Sequence, residues 1–583
     1  MSLWGSITTL LPYATTRPAG HPLQYCSPAP QAERATIDNN ATARMQPLKD
    51  CIMPICAPLT QPYRYGKVYK TLSHDMTFLS TSVSCRLAES AIWDTHPQFY
   101  RQHGVDSWNR LVPSMITTSV FFTKTYAQMI TAYVKDSIEQ GYTGIFTIVE
   151  PGAAQGKFSF RCLSHLEQLF AKEGLDFSRI RYLMCDCSNS IREFWEIQPQ
   201  LRPFVTRGIL SFHALEVSLK NGVDFADIAG NKLQRVILIG NYFFDSLYQN
   251  AYAVDNKQVY PVNITLNPNK VESYSPKEKD FSTDHSASTP HPDPNIAATA
   301  NAHLHLGISR FLLPEGAFAL MSFFRKHCEQ LLLLSSDKGI TSFQHSRYSE
   351  EYSLKRDGVL SCTVNYFAMA DYVQRTCNGD YLLAPEQATA EPVCFHTNVF
   401  ICDAKLSNFP RLQVLADQIT NSNTPCQQHL LKIMLQKTCF TNLQEYECLL
   451  DYNCYDPTYT YSFFVAIEKA LQDLNHSKDL RNQVTLLERV QSWWFFSPNL
   501  QDQRECIALA GLYLALRSYS NAKCMIDKIA NFYGYGYDTH RLFGRYYFLQ
   551  EAFNDAERHF NAALQAQPDC AESKNYLQLC QAA

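Results

Sequence analysis

An acidic residue and a turn of small residues follow the apolar run at 145–149. Glu150 ends this run, and Gly152, Ala154 and Gly156 follow it at alternate positions. A turn of small residues after a buried strand lets backbone and ligand approach closely, as in nucleotide-type cofactor sites at the carboxyl ends of strands. Because an acid at this place repels phosphate, the pattern favours a cofactor with cationic groups such as an ammonium and a sulfonium.

Two phosphate-binding motifs do not fit this turn. The dinucleotide fingerprint G-x-G-x-x-G requires glycines where the chain has Ala154 and Lys157. The phosphate loop requires four residues between its glycines and then Lys with Ser or Thr, but here three residues separate the glycines and Phe158 follows Lys157. The pattern that remains is acid-x-Gly-x-small-x-Gly, with the acid on the strand.

Two acidic residues, Glu150 at this turn and Asp186 further along the chain, suggest contacts with a ligand. Asp186 follows the second predicted strand, where an acid can accept hydrogen bonds from a ribose diol. The alternative is an exposed carboxylate at the end of a strand. Glu150 is costly to bury without a partner, and we expect a ligand cation or nearby backbone N–H groups to be that partner.

The turn after Glu150 resembles the first motif of the class I S-adenosylmethionine-dependent methyltransferases. The resemblance implies an α/β fold with a Rossmann-like, seven-stranded methyltransferase sheet. It also implies S-adenosylmethionine as the cofactor, bound by Glu150, Gly152, Ala154, Gly156, Asp186 and Asn241.

Asn241 and Asp245 are the predicted catalytic residues. Asn241 closes the fourth predicted strand, and its amide oxygen could accept a hydrogen bond from an amino group that is being methylated. Asp245 could orient a cationic acceptor such as a guanidinium. The alternative is that Asn241 caps the following helix and that the aromatic residues beside it belong to the core.

A narrower resemblance covers roughly residues 145–400. The segment Asn241–Leu247 is similar to the Asn-Glu-Phe-Phe-Asp-Ala-Leu segment of the MidA-like methyltransferases, which include the mitochondrial protein-arginine methyltransferase of complex I assembly. Asp186–Ser188 and Ser336–Gly339 match further motifs of that family. Met115–Ser119 is a loose counterpart of its N-terminal Thr-x-Pro-Glu segment.

Alternating strands and helices position these residues. Apolar runs that end in polar turns predict five strands of an α/β sheet. These strands are Ile145–Val149, Ile180–Met184, Gly208–Phe212, Arg235–Gly240 and Gln330–Leu334. Val359–Asn365 and Val393–Cys402 flank a helix and could complete the sheet.

The pattern divides the chain into five regions. A loosely ordered leader (1–60) precedes an N-terminal helical region (61–140), and the methyltransferase domain (141–404) contains a polar, mobile insertion at about 267–302 that buries little surface. A helical connector (405–500) and tetratricopeptide repeats (501–583) follow. The last two regions form an all-α domain.

The repeats are predicted from small and large residues that recur at fixed spacing. One copy contains Gly544, Tyr547, Ala556, Phe560, Ala563 and Pro568. A second copy, 34 residues earlier, contains Ala510, Tyr513, Ala522, Ile526 and Ile529. We expect the helix at 571–582 to cap the array and the repeats to bind a protein partner, or a second copy of the chain.

Composition excludes several classes of protein. A formal net charge of −4 over 583 residues does not indicate the excess of basic residues that binding to nucleic acid or a membrane surface requires. The 20 cysteines are scattered without a C-x-x-C pair, which favours reduced thiols in a cytoplasmic protein over disulfides or a metal site. No basic residue precedes the short apolar run of the N-terminus, which argues against a signal peptide.

Three functions are compatible with this sequence. The first is an S-adenosylmethionine-dependent methyltransferase that acts on a protein side chain recruited or positioned by the C-terminal repeats. The second is a small-molecule methyltransferase that dimerises through the repeats. The third is a catalytically silent scaffold that keeps the fold and binds protein partners.

Overall fold

The computed structural model describes residues 83–107, 117–226, 233–266, 277–343, 352, 354–357, 359–385, 394–422, 443–457, 477–495 and 500–583. The predicted leader, 1–60, lies outside the described residues. The strands in chain order are β1 (Val83–Arg86), β2 (Phe146–Pro151), β3 (Ile180–Asp186), β4 (Leu210–Ala214), β5 (Glu216–Ser218), β6 (Gly222–Asp224), β7 (Leu233–Asn241), β8 (Asn250–Asp255), β9 (Gln258–Leu266), β10 (Phe281–Thr283), β11 (Arg310–Leu313), β12 (Cys328–Ile340), β13 (Leu354–Asp357), β14 (Val359–Cys362), β15 (Val364–Asn365), β16 (Asp380–Leu382) and β17 (Cys394–Cys402).

The described α-helices flank and follow these strands. They are α1 (Thr95–His103), α2 (Val120–Glu139), α3 (Lys157–Glu173), α4 (Asn189–Glu196), α5 (Arg202–Thr206), α6 (Pro294–Asn301), α7 (Glu315–His327), α8 (Tyr366–Thr376), α9 (Pro410–Ser422), α10 (Leu443–Tyr452), α11 (Ser477–Ser492), α12 (Leu500–Ala515), α13 (Tyr519–Tyr533), α14 (Tyr537–Leu549), α15 (Phe553–Ala566) and α16 (Ala571–Ala582).

A central sheet carries the order β16-β17-β12-β7-β2-β3-β4, and the short β15 pairs with β12 beside this path. The strands β4, β3, β2, β7 and β12 are parallel neighbours. β17 runs antiparallel to both β12 and β16. The order reverses between β2 and β7, and in such sheets ligands bind outside the carboxyl ends of the strands at this reversal.

Both faces of the central sheet are covered by helices. In β7 the side chains of Ile237 and Ile239 join one apolar core, which includes residues of α2 and α3. Val236 and Leu238 point to the opposite face and join a second core with residues of α7 and α8. Alternate residues of a strand face opposite sides, so burial on both sides explains the continuous apolar run of this strand.

The five predicted parallel strands correspond to β2, β3, β4, β7 and β12, so the prediction of a mixed α/β fold is confirmed. The prediction for Val359–Asn365 is only partly right, because β14 pairs with β13 in a separate hairpin and only β15 joins the central sheet. The N-terminal region was predicted to be helical, yet Val83–Arg86 is a strand. It pairs with β9 in a second, antiparallel sheet that also contains β8, β10 and β11.

The predicted insertion, 267–302, is described from residue 277 onward. Its strand β10 pairs with β9, and its helix α6 contains Thr299 and Ala300, both fully buried. The expectation that this segment buries little surface is therefore wrong for its C-terminal part, where α6 packs into the core.

The C-terminal region consists of helices, as predicted. Helix α16 has the bounds expected of the predicted cap, 571–582. Gly544 of α14 lies so close to α15 that an added Cβ would stand 2.6 Å from the ring of Phe560. A small residue is thus required where these two helices cross, which is the packing that the spacing predicted.

No helix within the described parts of the chain is long and apolar enough to cross a membrane.

Candidate functional site

A cavity of about 590 Å³ lies over the carboxyl ends of β2, β3 and β7, at the reversal of strand order. Five of the six residues predicted to bind a cofactor line it, and so does Asp245; these are Glu150, Gly152, Ala154, Asp186, Asn241 and Asp245. Cavities that hold small organic ligands and cofactors have about this volume, roughly 300–1,000 Å³. The fold therefore brings most of the predicted residues together at one cavity.

The turn after β2 has a left-handed backbone at three alternate positions. The φ angles are +65° at Gly152, +53° at Ala154 and +83° at Gly156. A Cβ at Gly152 would stand 2.9 Å from the ring of Phe243, so glycine permits this contact. Ala154 holds an unfavourable conformation for a residue with a side chain, and its carbonyl accepts a hydrogen bond from Trp195 Nε1 at 2.8 Å.

Gly156 differs from the other predicted cofactor residues because it does not line the cavity. It precedes α3 as the N-cap residue and is buried. A Cβ at this position would stand 2.9 Å from Cε of Met184. Its role is therefore to turn the chain from β2 into α3 against β3.

Glu150 is buried within the protein and has two hydroxyl partners. Ser159 Oγ and Tyr182 Oη each donate to its Oε2 at 2.5 Å. Within the protein the partners are thus side-chain hydroxyls, whereas backbone N–H groups had been one of the two kinds of partner expected. Burial raises the pKa of Glu150 to about 7, because two neutral donors do not offset the loss of hydration of the charged form.

This raised pKa predicts a pH-dependent stability. The folded chain holds the Glu150 proton more tightly than the unfolded chain, whose pKa is near 4.5, so this contribution is greatest at acid pH and is lost as the pH rises towards 7. At about 1.4 kcal/mol for each pH unit, the loss from this group between pH 5 and pH 8 is about 3 kcal/mol. Urea unfolding should show that the free energy of unfolding of Glu150→Gln decreases less between pH 5 and pH 8 than that of wild type. If the two proteins lost the same free energy over this range, the raised pKa of Glu150 would not be the cause.

Asp186 ends β3 as a buried carboxylate at the cavity. Its Oδ1 accepts the backbone N–H of Ser188 at 2.9 Å, and the N–H of Ala154 also donates to the carboxylate. Burial raises its pKa to about 6, and these backbone donors limit the increase. The alternative of an exposed strand-end carboxylate is wrong, because the residue is 5% exposed.

Asn241 uses its oxygen within the protein. Tyr126 Oη donates to Oδ1 at 2.7 Å, and the backbone N–H of Ser336 donates to the same atom at 3.0 Å. A backbone N–H can only donate, so this contact fixes which end of the amide is the oxygen. The predicted use of the oxygen for an incoming amino group therefore does not fit.

The other end of the Asn241 amide remains for a ligand. Within the described residues, its Nδ2 is buried and has no hydrogen-bond partner. A buried donor without an acceptor costs about 1–3 kcal/mol. An acceptor atom of a ligand bound beside Asn241 would remove this cost.

Asp245 lines the cavity and belongs to a buried polar cluster. Its carboxylate accepts hydrogen bonds from Ser246 Oγ at 2.8 Å and Ser361 Oγ at 2.7 Å, and Lys338 Nζ lies 3.9 Å from it. Its backbone N–H donates to Asp337 Oδ2 at 3.1 Å. Burial and the nearby Asp245 carboxylate raise the pKa of Asp337 well above its ordinary value.

Residues of the N-terminal region, called the roof below, also line this cavity, and sequence reasoning missed them. Trp93 and Tyr100 line the cavity from the segment that leads into α1 and from α1 itself. Tyr100 is hydrogen-bonded to Ser246, and burial raises its pKa, so the hydroxyl stays protonated. Of the predicted segment Met115–Ser119, residues 115 and 116 lie outside the described residues, whereas Thr117 and Thr118 line the cavity.

Two ion pairs connect the roof to the hairpin β5–β6 at the cavity rim. Lys220 Nζ lies 3.0 Å from Asp94, and Arg101 lies 2.5 Å from Glu216. The side chains of both pairs are partly exposed. Such pairs contribute little to stability but can hold a segment in place.

No family model and no curated protein matches this chain. Similar solved structures include a proposed methyl transferase from Burkholderia thailandensis bound to S-adenosyl-homocysteine. The two sequences are 13% identical, the match covers 46% of this chain and 63% of that chain, and the TM-score is 0.30. An uncharacterised protein of the same superfamily from that organism is 13% identical to this chain, and the TM-score is 0.31. The match covers 50% of this chain and 78% of that chain.

A third structure is magnesium protoporphyrin IX methyltransferase from Synechocystis PCC 6803 with bound S-adenosylmethionine. It has 9% identity, coverage of 54% of this chain and 97% of that chain, and a TM-score of 0.23. The chain spans less than two thirds of the first of these three proteins. The interpretation of the cavity therefore rests on its own geometry.

Proposed function

We propose that this protein is an S-adenosylmethionine-dependent methyltransferase. One observation carries the proposal: the Glu150–Gly156 turn, Asp186 and Asn241 meet at one cavity, at the reversal of a sheet with the strand order expected of a nucleotide-type site. The path of seven strands in the central sheet also agrees with the sheet of class I methyltransferases that the first motif suggested.

The residues at the cavity fit this cofactor. Asp186 offers a carboxylate to a ribose diol, and Asn241 Nδ2, which has no partner among the described residues, can donate to a carboxylate or carbonyl oxygen. Gly152 brings the backbone to the cavity without a side chain. Glu150 gives a site for positive charge near the turn, because a cation close to it lowers its raised pKa and restores the carboxylate.

The chemistry that the cofactor supplies is an electrophilic methyl group on a sulfonium. The protein contributes the relative position of the reacting groups, the exclusion of water and nearby charges. The aromatic side chains of Trp93 and Tyr100 line the cavity and would reduce the access of water to a bound cofactor, and Asp245 with Lys338 forms a polar wall for an acceptor. Tyr100 is hydrogen-bonded to Ser246, next to Asp245, and orients that wall.

The acceptor that we propose is a side chain of a protein bound by the C-terminal helices. The close approach of α14 and α15 at Gly544 and Phe560 supports this proposal, because tetratricopeptide repeats need a small residue at such a crossing and bind peptide segments in a groove. Cytoplasmic location and formation of a homodimer are parts of this proposal that rest on the sequence.

A catalytically silent scaffold is the second candidate. Ala154 replaces glycine at a left-handed position of the turn, and Tyr242 has a φ of +50° where the MidA-like family has an acid. Incubation of a cell lysate with the protein and methyl-labelled S-adenosylmethionine separates the candidates. Label in protein supports our proposal, label in small molecules supports the small-molecule enzyme, and cofactor binding without any label supports the scaffold.

The rim ion pairs predict a kinetic effect. Replacing Lys220 and Arg101 together by Gln should accelerate release of S-adenosylhomocysteine several-fold while the melting temperature stays nearly unchanged, because exposed pairs add little stability. Stopped-flow fluorescence of Trp93 and its neighbours would measure the release rate. An unchanged rate would mean that the roof does not gate the cavity.

A further inference from the structure

A buried ion pair joins the C-terminal region to the wall of the cavity. Arg161 lies on α3, and Asp456 lies just after α10; their side chains are 3% and 1% exposed. Arg161 Nη1 and Asp456 Oδ2 are 3.5 Å apart. Burying a charge costs free energy unless hydrogen bonds and an opposite charge compensate for the lost hydration. The contacts of this pair therefore show which parts of the structure it stabilises.

Both members of the pair contact the segment that forms the cavity wall. Arg161 Nη1 donates to the carbonyl oxygen of Thr118 at 2.6 Å, and Asp456 Oδ2 accepts the backbone N–H of Val120 at 2.8 Å. Thr117 and Thr118 line the cavity. The pair therefore fixes the backbone on both sides of Ser119, where the wall turns into α2.

Asp456 also completes the start of α2. Ser119 Oγ accepts the N–H of Phe122 at 3.2 Å, while Asp456 accepts that of Val120, so two free donors of the first turn are satisfied. Negative charge is favourable at this end of a helix. One turn later, Tyr126 of the same helix donates to Asn241 Oδ1, which links this helix start to the cavity floor.

Further contacts from the C-terminal region support the same place. Arg161 Nε donates to the carbonyl oxygen of Trp493 at 3.2 Å, and the Trp493 ring lies 4.1 Å from that of His165. Burial lowers the pKa of His165 to about 3, so its ring is neutral, and its Nε2 lies 3.1 Å from the carbonyl oxygen of Val120. Residues from two C-terminal segments thus support the wall and the helix after the glycine turn.

From these contacts we infer that Asp456 is a positioning residue for the cofactor cavity, so that the C-terminal region is part of the binding site and not only a partner-binding appendage. The inference rests on the proposed function, since it concerns the affinity of the same cavity. Asp456 touches no ligand itself. It acts through the backbone of 117–120 and through Arg161.

The test compares Asp456→Asn with wild type in the full chain, and Asp451→Asn is the matched control. Asp451 lies on α10, is exposed and contacts Tyr455 instead of the wall. We expect the Kd for S-adenosylhomocysteine to rise about tenfold in Asp456→Asn, because a displaced wall loses part of its contact with the ligand and a loss of about 1.4 kcal/mol corresponds to this change. In Asp451→Asn we expect the Kd to stay unchanged. Calorimetric titration at a temperature where circular dichroism shows each variant folded gives both values.

Hydrogen exchange gives a readout that needs no cofactor. Amides of 118–122 should exchange faster in Asp456→Asn, since Val120 loses a charged acceptor. If Asp456→Asn does not fold, Arg161→Lys keeps the charge but loses the contacts to Thr118 and Trp493, and the same increases in Kd and exchange are expected.

The outcomes separate this inference from the proposed function. Wild type that fails to bind S-adenosylhomocysteine overturns both. Wild type that binds, with a folded Asp456→Asn of equal Kd, overturns the positioning role alone, even when its melting temperature falls. A rise in the Kd of Asp456→Asn together with faster amide exchange at 118–122 supports the positioning role of Asp456.

Discussion

Replacing Asp186 by Asn is expected to weaken the binding of S-adenosylhomocysteine about 10- to 100-fold. The carboxylate lies buried at the end of β3, and losing a charged acceptor to a ribose diol costs roughly 1–3 kcal/mol. Asn keeps one oxygen for the N–H groups of Ser188 and Ala154, so the turn should remain folded. Calorimetric titration measures the change directly.

The pH dependence of binding gives a second signature of Asp186. Its pKa is raised to about 6 by burial, and the ribose hydroxyls prefer the charged form as acceptor. Affinity should therefore fall as the pH drops through about 6 in wild type, and Asp186→Asn should lose this step. Asp255→Asn, at the exposed end of β8, serves as the control. Equal affinities of wild type and Asp186→Asn at pH 8 would show that Asp186 does not contact the cofactor.

Gly156→Ala is expected to lower the free energy of unfolding by roughly 2–5 kcal/mol and to abolish measurable cofactor binding. The left-handed φ of +83° costs a residue with a Cβ about 1–2 kcal/mol, and crowding in a packed core costs about 1–3 kcal/mol more. The crowding arises because the new Cβ would stand 2.9 Å from Met184 Cε. Urea unfolding and calorimetric titration measure the two effects.

Gly141→Ala separates these two costs. Gly141 has a φ of +85°, and nothing lies within 4 Å of its Cβ position. It should show the conformational cost alone and should leave cofactor binding intact. If the two alanine variants were equally stable, close packing against β3 would not be the reason for glycine at 156.

The sequence predicts the centre of this fold better than its periphery. β2 and β7 are buried on both faces, so they appear as continuous apolar runs that end in Glu150 and Asn241. β16 was missed because its three residues, Asp380–Leu382, are too few for a periodic pattern. Its partner β17 is long and apolar, and its prediction was correct.

The second sheet was missed because its turn signal is weak. β8 and β9 are joined by Asn256 and Lys257, which both have positive φ angles. This is the geometry of a two-residue hairpin turn, but lysine at the second place lacks the glycine that usually marks it. The roof residues Trp93 and Tyr100 were missed for a related reason, since short helical turns carry no period that points to a cavity.

The fold brings predicted site residues together at one cavity, but the hydrogen bonds of their side chains could not be predicted from the sequence. Glu150, Asp186 and Asn241 all reach the cavity, yet some partners of the site residues come from distant segments. Asn241 Oδ1 is bound by Tyr126 and by the Ser336 backbone, and Asp245 is bound by Ser361. A single sequence gives no information on such long-range hydrogen bonds, so it could not show which end of the Asn241 amide is available.

A crystal structure of the full chain with S-adenosylhomocysteine tests the central claim most directly. Our account predicts the ligand in the 590 Å³ cavity, with its ribose hydroxyls within hydrogen-bond distance of Asp186 and its amino acid part beside Gly152 and Asn241. A ligand bound at another surface, or a cavity that stays free of it at saturating concentration, would contradict the assignment of this cavity as a methyltransferase site.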